Sequence, residues 1–156
     1  DLKKLTSEGV RIRVLGTRVG LPPDILALVD DAELKTAGNS TFNLCIAFNY
    51  GGREEILRAA LALAADAKSG AIDPENADEA EFAKYLDTGE LPDPDLLIRT
   101  SGEMRLSNFL IWQAAYAELV FLDVLWPDFG AKHLREAVNL FQNRERRFGG
   151  LATGVA

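Results

Sequence analysis

The chain has 156 residues, of which 47% are hydrophobic and 26% charged, and a net charge of -7. That size and balance suit one ordinary folded domain, with residues 1–150 as the domain and 151–156 as a tail. The acidic surplus argues against nucleic acid as a partner, because phosphate-backbone binding needs a basic face.

From Asp1, the stretch DLKKLTSEG reads as the end of a helix already in progress. Leu2 and Leu5 are apolar, Lys3 and Lys4 suit the negative end of the helix dipole, and Gly9 closes it. A beginning that lies elsewhere is expected. Val10 to Gly16 alternates apolar and basic residues as a strand does. Pro22 and Pro23 open a helix whose inner stripe is Ile25, Leu28, Val29 and Ala32, ended by Gly38-Asn39. Phe42 to Tyr50 is a second strand, apolar enough to be covered on both faces. It holds Cys45, the only cysteine, expected to be a buried structural residue. A lone cysteine excludes a disulfide within the chain and fits a reducing cytoplasm.

Gly51-Gly52 turns into a helix from Arg53 to Lys68, with Ile56, Ala60, Leu63 and Ala67 inside and Gly70 as its stop. Ile72 to Glu90 is an acidic, solvated stretch with a short helix over Glu79 to Leu86. Pro92 and Pro94 lead into a strand from Asp95 to Thr100. The loop Ser101 to Leu106 follows, then a helix from Ser107 to Ala117 and a strand from Leu119 to Leu125. Trp126-Pro127 breaks that strand, and a last helix runs from Lys132 to Phe148. The longest apolar stretch, Phe109 to Trp126, is interrupted by Gln113, Glu118 and Asp123, so it reads as core and not as a membrane span. Strands alternating with helices predict an α/β fold with a mainly parallel β-sheet flanked by helices.

In open parallel sheets, ligands collect at the carboxyl ends of the strands, and three features are expected there. Arg99 stands at a strand tip, Thr100-Ser101-Gly102 forms a turn with exposed N–H groups, and Ser107 is placed to cap a helix. With Arg105 these groups would grip a phosphate or diphosphate. The competing reading pairs both arginines with Glu103 and surface acids. The second feature is Asn49-Tyr50-Gly51-Gly52-Arg53, a phosphate loop or simply a tight turn. The third is Glu118, whose apolar neighbours Trp112, Tyr116 and Phe121 demand a cation, either an arginine or a divalent metal. His133 reads as exposed decoration. Phe109, Trp112, Gln113 and Tyr116 form a helical stripe that is core or the wall of an apolar channel.

The run IRTSGEMRLSNFLIWQAAYAELVFLDVLWPDF, with NYGGR upstream and NRERRFGG downstream, closely resembles the cis-prenyltransferases, or isoprenyl transferases, among them the bacterial undecaprenyl diphosphate synthases. The resemblance implies condensation of isopentenyl diphosphate with an allylic diphosphate such as farnesyl diphosphate, giving a cis-polyprenyl diphosphate. It implies Mg2+ as cofactor, a homodimer, and a cytoplasmic protein close to the membrane through its greasy product. It assigns Arg99, Arg105, Leu106 and Ser107 to isopentenyl diphosphate, Glu118 to the metal, and Arg147 and Gly149 to the dimer interface, where they complete the site. The family's catalytic aspartate and asparagine belong to M-D-G-N-G-R-W and F-S-x-E-N-x-x-R segments that this sequence lacks. The expectation is therefore the C-terminal two-thirds of a cis-prenyltransferase fold, inactive by itself. The alternatives are a non-catalytic partner subunit of a prenyltransferase complex and a generic phosphate-binding α/β module.

Overall fold

The computed structural model describes residues 2–144. Arg147, Phe148, Gly149 and the tail at 151–156 lie outside the described residues. The chain divides into two compact units, one up to Leu91 and the other from Pro92 onward.

In the first unit, a short helix α1 (Leu2–Ser7) leads through Gly9, whose φ of 75° serves the turn, into strand β1 (Val10–Leu15). Helix α2 (Pro23–Thr36) follows, with proline in its first turn and Asp24 and Lys35 at the ends that the helix dipole favours. Strand β2 (Phe42–Ala47) lies parallel to β1, with Val10 opposite Phe42 and Leu15 opposite Ala47. Val10, Ile12 and Leu15 of β1 are buried together with Val29 of α2 and Ala59, and α1 and α2 both pack on β1.

Three details differ from the sequence expectation. Leu28, expected inside, is 63% exposed, whereas Val29 carries the burial. β2 is not covered on both faces: Phe42, Ile46 and Phe48 are all exposed. Cys45 is accordingly half-buried and not enclosed. Even that partial burial pushes its thiol up from the usual range, with Arg13 opposing the shift.

Helix α3 (Gly52–Ser69) begins one residue before the expected start and ends at Gly70, which takes a left-handed conformation with its N–H on Asp66 and Ala67. Its buried side is Gly52, Glu55 and Ala59, one position off the apolar stripe, and Ala60 faces outward. The shift has a plain cause: a carboxylate, Glu55, occupies the inside, and apolar periodicity cannot register a buried charge. A 3-10 turn (Pro74–Asn76) and helix α4 (Glu79–Ala83) complete the unit, each capped by an aspartate, Asp73 and Asp78. α4 stops earlier than expected, although Leu86 beyond it is buried.

In the second unit, strands β3 (Leu96–Arg99) and β4 (Glu118–Phe121) pair in parallel, Leu96 opposite Glu118 and Arg99 opposite Phe121. The predicted strand to Leu125 is shorter, and a 3-10 turn (Trp126–Asp128) precedes helix α5 (Ala131–Gln142). α5 ends at Gln142, short of the expected Phe148. Val120, Leu122 and Ala137 form the core, with Leu96, Ile98, Val124 and Phe129 against it. The mainly parallel α/β reading holds, realised as two separate strand pairs.

Candidate anion-binding loop

Arg99 is the last residue of β3, and the chain leaves it through a turn in which Ser101 and Gly102 both have φ of 65°. The strand-tip position was legible in the sequence. The turn's N–H groups, however, are spent within the protein: Ser101 donates to the Val124 carbonyl at 2.9 Å and Gly102 to the Leu122 carbonyl at 3.1 Å. They lace the turn to the segment after β4 instead of facing a ligand.

The expected helix from Ser107 does not form. Ser107, Asn108 and Leu110 have φ of 50°, 63° and 45°, and no right-handed helix passes through three such residues in so short a span. The segment is a series of turns closed by bonds such as Ala114 N–H to the Leu110 carbonyl, 2.8 Å. Ser107 is therefore not a helix cap, and a candidate anion site in this loop has no helix dipole behind it. The aromatic stripe dissolves with the helix. Gln113 and Ala114 are buried, Trp112 is half-buried, and Tyr116 is 69% exposed. Left-handed non-glycine residues cost of order 1 kcal/mol or more each and gather at functional loops. Four of them, Ser101, Ser107, Asn108 and Leu110, fall between Ser101 and Leu110, just after β3.

The arginines differ in their partners. Arg105 is exposed and paired with Glu103 at 2.6 Å, the competing arrangement that the sequence left open. Leu106 beside it is half-buried. Arg99 is half-buried and takes part in none of the ion pairs among the described residues.

Glu118 needs a correction. It opens β4, opposite Leu96, so it lies at the amino end of the strand pair while Arg99 lies at the carboxyl end. Three residues of strand rise separate the two levels, about 10 Å. The demand for a cation is met by Arg144, whose Nη1 donates to Glu118 Oε2 at 2.8 Å and to the Leu119 carbonyl at 3.0 Å. Among the described residues no three His, Cys, Asp or Glu gather closely enough to hold a metal ion. His133, half-buried, accepts the Gly130 N–H through Nδ1 at 3.1 Å and stacks on Phe129, so it caps α5.

In the first unit, the NYGGR stretch behaves as a braced turn. Asn49 is left-handed, with φ of 50°, and its Nδ2 donates to the carbonyls of Thr17 and Val19. The Tyr50 hydroxyl donates to Glu55 Oε2 at 2.6 Å, and Asp87 N–H donates to Glu55 Oε1 at 2.9 Å. Asp87 in turn accepts from Gly16 N–H and from Arg58. Glu55 is 1% exposed and was missed in the sequence. Its only signal there was a charge on the inner side of α3, which periodicity assigned to the surface. A cleft of about 520 Å³ along the outer side of β1 is lined by Arg11, Arg13, Asp30, Glu33 and Asp87. Its mixed charges are mostly paired already, which makes it a poor anion trap.

The sequence matches the prenyltransferase family model described as undecaprenyl diphosphate synthase over residues 1–149. It is 51% identical to isoprenyl transferase 2 of Bradyrhizobium diazoefficiens over 156 residues, all of this chain and 62% of that protein. It is 49% identical to the isoprenyl transferase of Caulobacter vibrioides, over 97% of this chain and 59% of that protein. The chain thus spans about three fifths of the length of these curated relatives. Among solved structures, lavandulyl diphosphate synthase from Lavandula x intermedia, crystallised with dimethylallyl diphosphate, superposes with a TM-score of 0.90 at 37% identity, covering 95% of this chain and 64% of that one. A probable undecaprenyl diphosphate synthase from Campylobacter jejuni gives 0.81 at 32% identity, covering 95% and 67%. With a parallel α/β fold, an arginine at a strand tip and a family match along nearly its whole length, the chain belongs to the cis-prenyltransferase, or isoprenyl transferase, family.

Proposed function

We propose that this chain is the isopentenyl diphosphate-binding portion of an isoprenyl transferase that condenses isopentenyl diphosphate with an allylic diphosphate. The observation that carries the reading is Arg99: a half-buried guanidinium at the carboxyl tip of a parallel strand, in no ion pair among the described residues. Such a group has its donors available for a doubly charged anion. Arg105, Leu106 and Ser107 follow in the same strained loop and would supply the second guanidinium, an apolar wall and a hydroxyl. Arg105 must first release Glu103. That exchange is feasible because the pair is exposed, and exposed pairs are worth at most about 1 kcal/mol.

Mg2+ belongs to the proposal as cofactor. Glu118 supplies one carboxylate, and Mg2+ commonly takes one or two carboxylates and fills its remaining positions with substrate phosphates and water. Bound there, it would offset charge on a departing diphosphate. Glu118 would have to exchange Arg144 for the ion. Arg147 and Gly149 completing the site across a homodimer, a cytoplasmic setting and proximity to the membrane through the product are further parts of the proposal. The non-catalytic partner reading has less support, since a scaffold has no use for Arg99, Arg105 and Ser107 in one loop.

The chain supplied with farnesyl diphosphate, labelled isopentenyl diphosphate and Mg2+ is expected to yield no long-chain product. It carries the binding loop for one diphosphate and not the family's M-D-G-N-G-R-W segment. Appreciable labelled polyprenyl product would contradict the division of the site.

A further inference from the structure

Helix α5 starts without the usual means of closing its first turn. Its N-cap is Gly130, which has no side chain, and no acidic residue follows in that turn. Serine, threonine, aspartate or asparagine commonly caps this position, and acids complement the positive end of the helix dipole. The residue that reaches back instead is His133, the only histidine of the chain. Its Nδ1 accepts from Gly130 N–H at 3.1 Å, and its backbone N–H donates to the Gly130 carbonyl at 2.9 Å. A glutamate or glutamine normally makes that backward bond from the third helical position.

An imidazole makes the same bond on one condition. Nδ1 accepts only while it carries no proton, which places the proton of the neutral ring on Nε2. Protonation turns Nδ1 from an acceptor into a donor, so the Gly130 N–H loses its partner. It also puts a positive charge next to Lys132 at the positive end of the helix, where cations are disfavoured. The ring belongs to a stack as well. His133 lies 5.8 Å from Phe129 with planes 27° apart, and Phe129 lies 5.7 Å from Trp126 with planes 15° apart. A cation over an aromatic face is attracted to it, but that attraction restores no acceptor for Gly130. Other charges do not take over the role. α5 itself carries Lys132, Arg135 and Glu136, the preceding turn brings Asp128, and β4, on which α5 packs, brings Glu118, held by Arg144. His133 is in none of the ion pairs among the described residues.

We propose that His133 is a pH-responsive clasp: the neutral ring fastens the Trp126–Phe129 turn to the start of α5, and the protonated ring releases it. The closed clasp requires the neutral ring and the open one does not, so protons favour opening. Closure is therefore firmest on the alkaline side of the ordinary imidazole range, about pH 5 to 8, and weakens toward the acid side. What the clasp secures is the first turn of the helix that buries Ala137 against Val120 and Leu122. No residue assigned to a diphosphate or a metal takes part in it, so the clasp stands apart from the proposed catalytic role.

Amide exchange of the 156-residue chain, taken relative to the unprotected rate at each pH, tests the clasp. From about pH 8 to about pH 5.5, protection at Gly130 is expected to fall at least about twofold, the low end for one hydrogen bond. Gly70 N–H, bonded to carbonyls at the end of α3, should keep its protection throughout. Nitrogen NMR at about pH 8 should find Nδ1 of His133 without a proton. His133→Gln supplies an amide oxygen that does not titrate, so its Gly130 protection should stay level as the pH falls. Protection at Gly130 that ignores pH in the wild-type chain overturns the proposal. A pH dependence that survives in His133→Gln overturns it too, because another group would then be titrating. A proton on Nδ1 at about pH 8 overturns it without any variant.

Discussion

Thr36 is wholly buried, with its hydroxyl accepting from Ile12 N–H and donating to the Ala32 carbonyl at 2.8 Å. A valine there keeps the shape and strands a buried N–H. Thr36→Val should cost about 1–3 kcal/mol, the desolvation cost of an unsatisfied donor. A urea melt should display it as a lower midpoint at unchanged slope. Gly16 has φ of 118°, and a Cβ there would run into the Phe48 carbonyl. Gly16→Ala should destabilise by about 1 kcal/mol or more, and a midpoint equal to wild type would show that the β1 exit can rearrange. At this scale the sequence was informative about charge at a strand tip and silent about its neighbours. Arg99 could be nominated because a short apolar run ends on it. That Arg105 meets Glu103 and Glu118 meets Arg144 depends on side-chain reach, and in each case residue types allowed two partners.

Among the elements, strands and long helices were legible because their apolar periods are set by burial of one face. The segment from Ser107 to Ala117 was not. Its apolar residues have helical spacing, but three of its residues are left-handed, and no propensity scale detects a φ imposed by tertiary fit. Glu55 misled the reading of α3 for a related reason: its burial depends on Tyr50 and the Asp87 N–H arriving from elsewhere. A tie between α3 and the end of α4 gives a pH prediction. The hydrogen bond from the Tyr85 hydroxyl to Asp66 Oδ2, 2.7 Å, is the main cause that pushes the phenol from 10.0 up to about 12. Because the folded-state pKa is raised, the stabilisation is fully present below pH 10 and lost as pH rises through about 12. Tyr85→Phe should therefore be less stable than wild type at neutral pH, and the gap should close across that alkaline window. A gap constant with pH would mean that the bond does not form in solution.

For the molecule as a whole, class and family were readable from sequence because motif order and spacing survive at 51% identity to a relative. The internal finish of the fold was not. A strand as apolar as β2 was expected to be covered on both faces, and in this chain Phe42, Ile46 and Phe48 are exposed instead. The two ends of the β3–β4 pair likewise separate Arg99 from Glu118, which the linear sequence had drawn together. In the proposed reading, the loop from Arg99 to Ser107 is the part of the site that this chain carries most completely. The decisive measurement is a calorimetric titration of the chain with isopentenyl diphosphate, alongside Arg105→Ala. Saturable binding is expected, weakened by about 1.5–3 kcal/mol in the variant, the value of a hydrogen bond to a charged group. Equal affinity in the two proteins, or no binding to either, would contradict it.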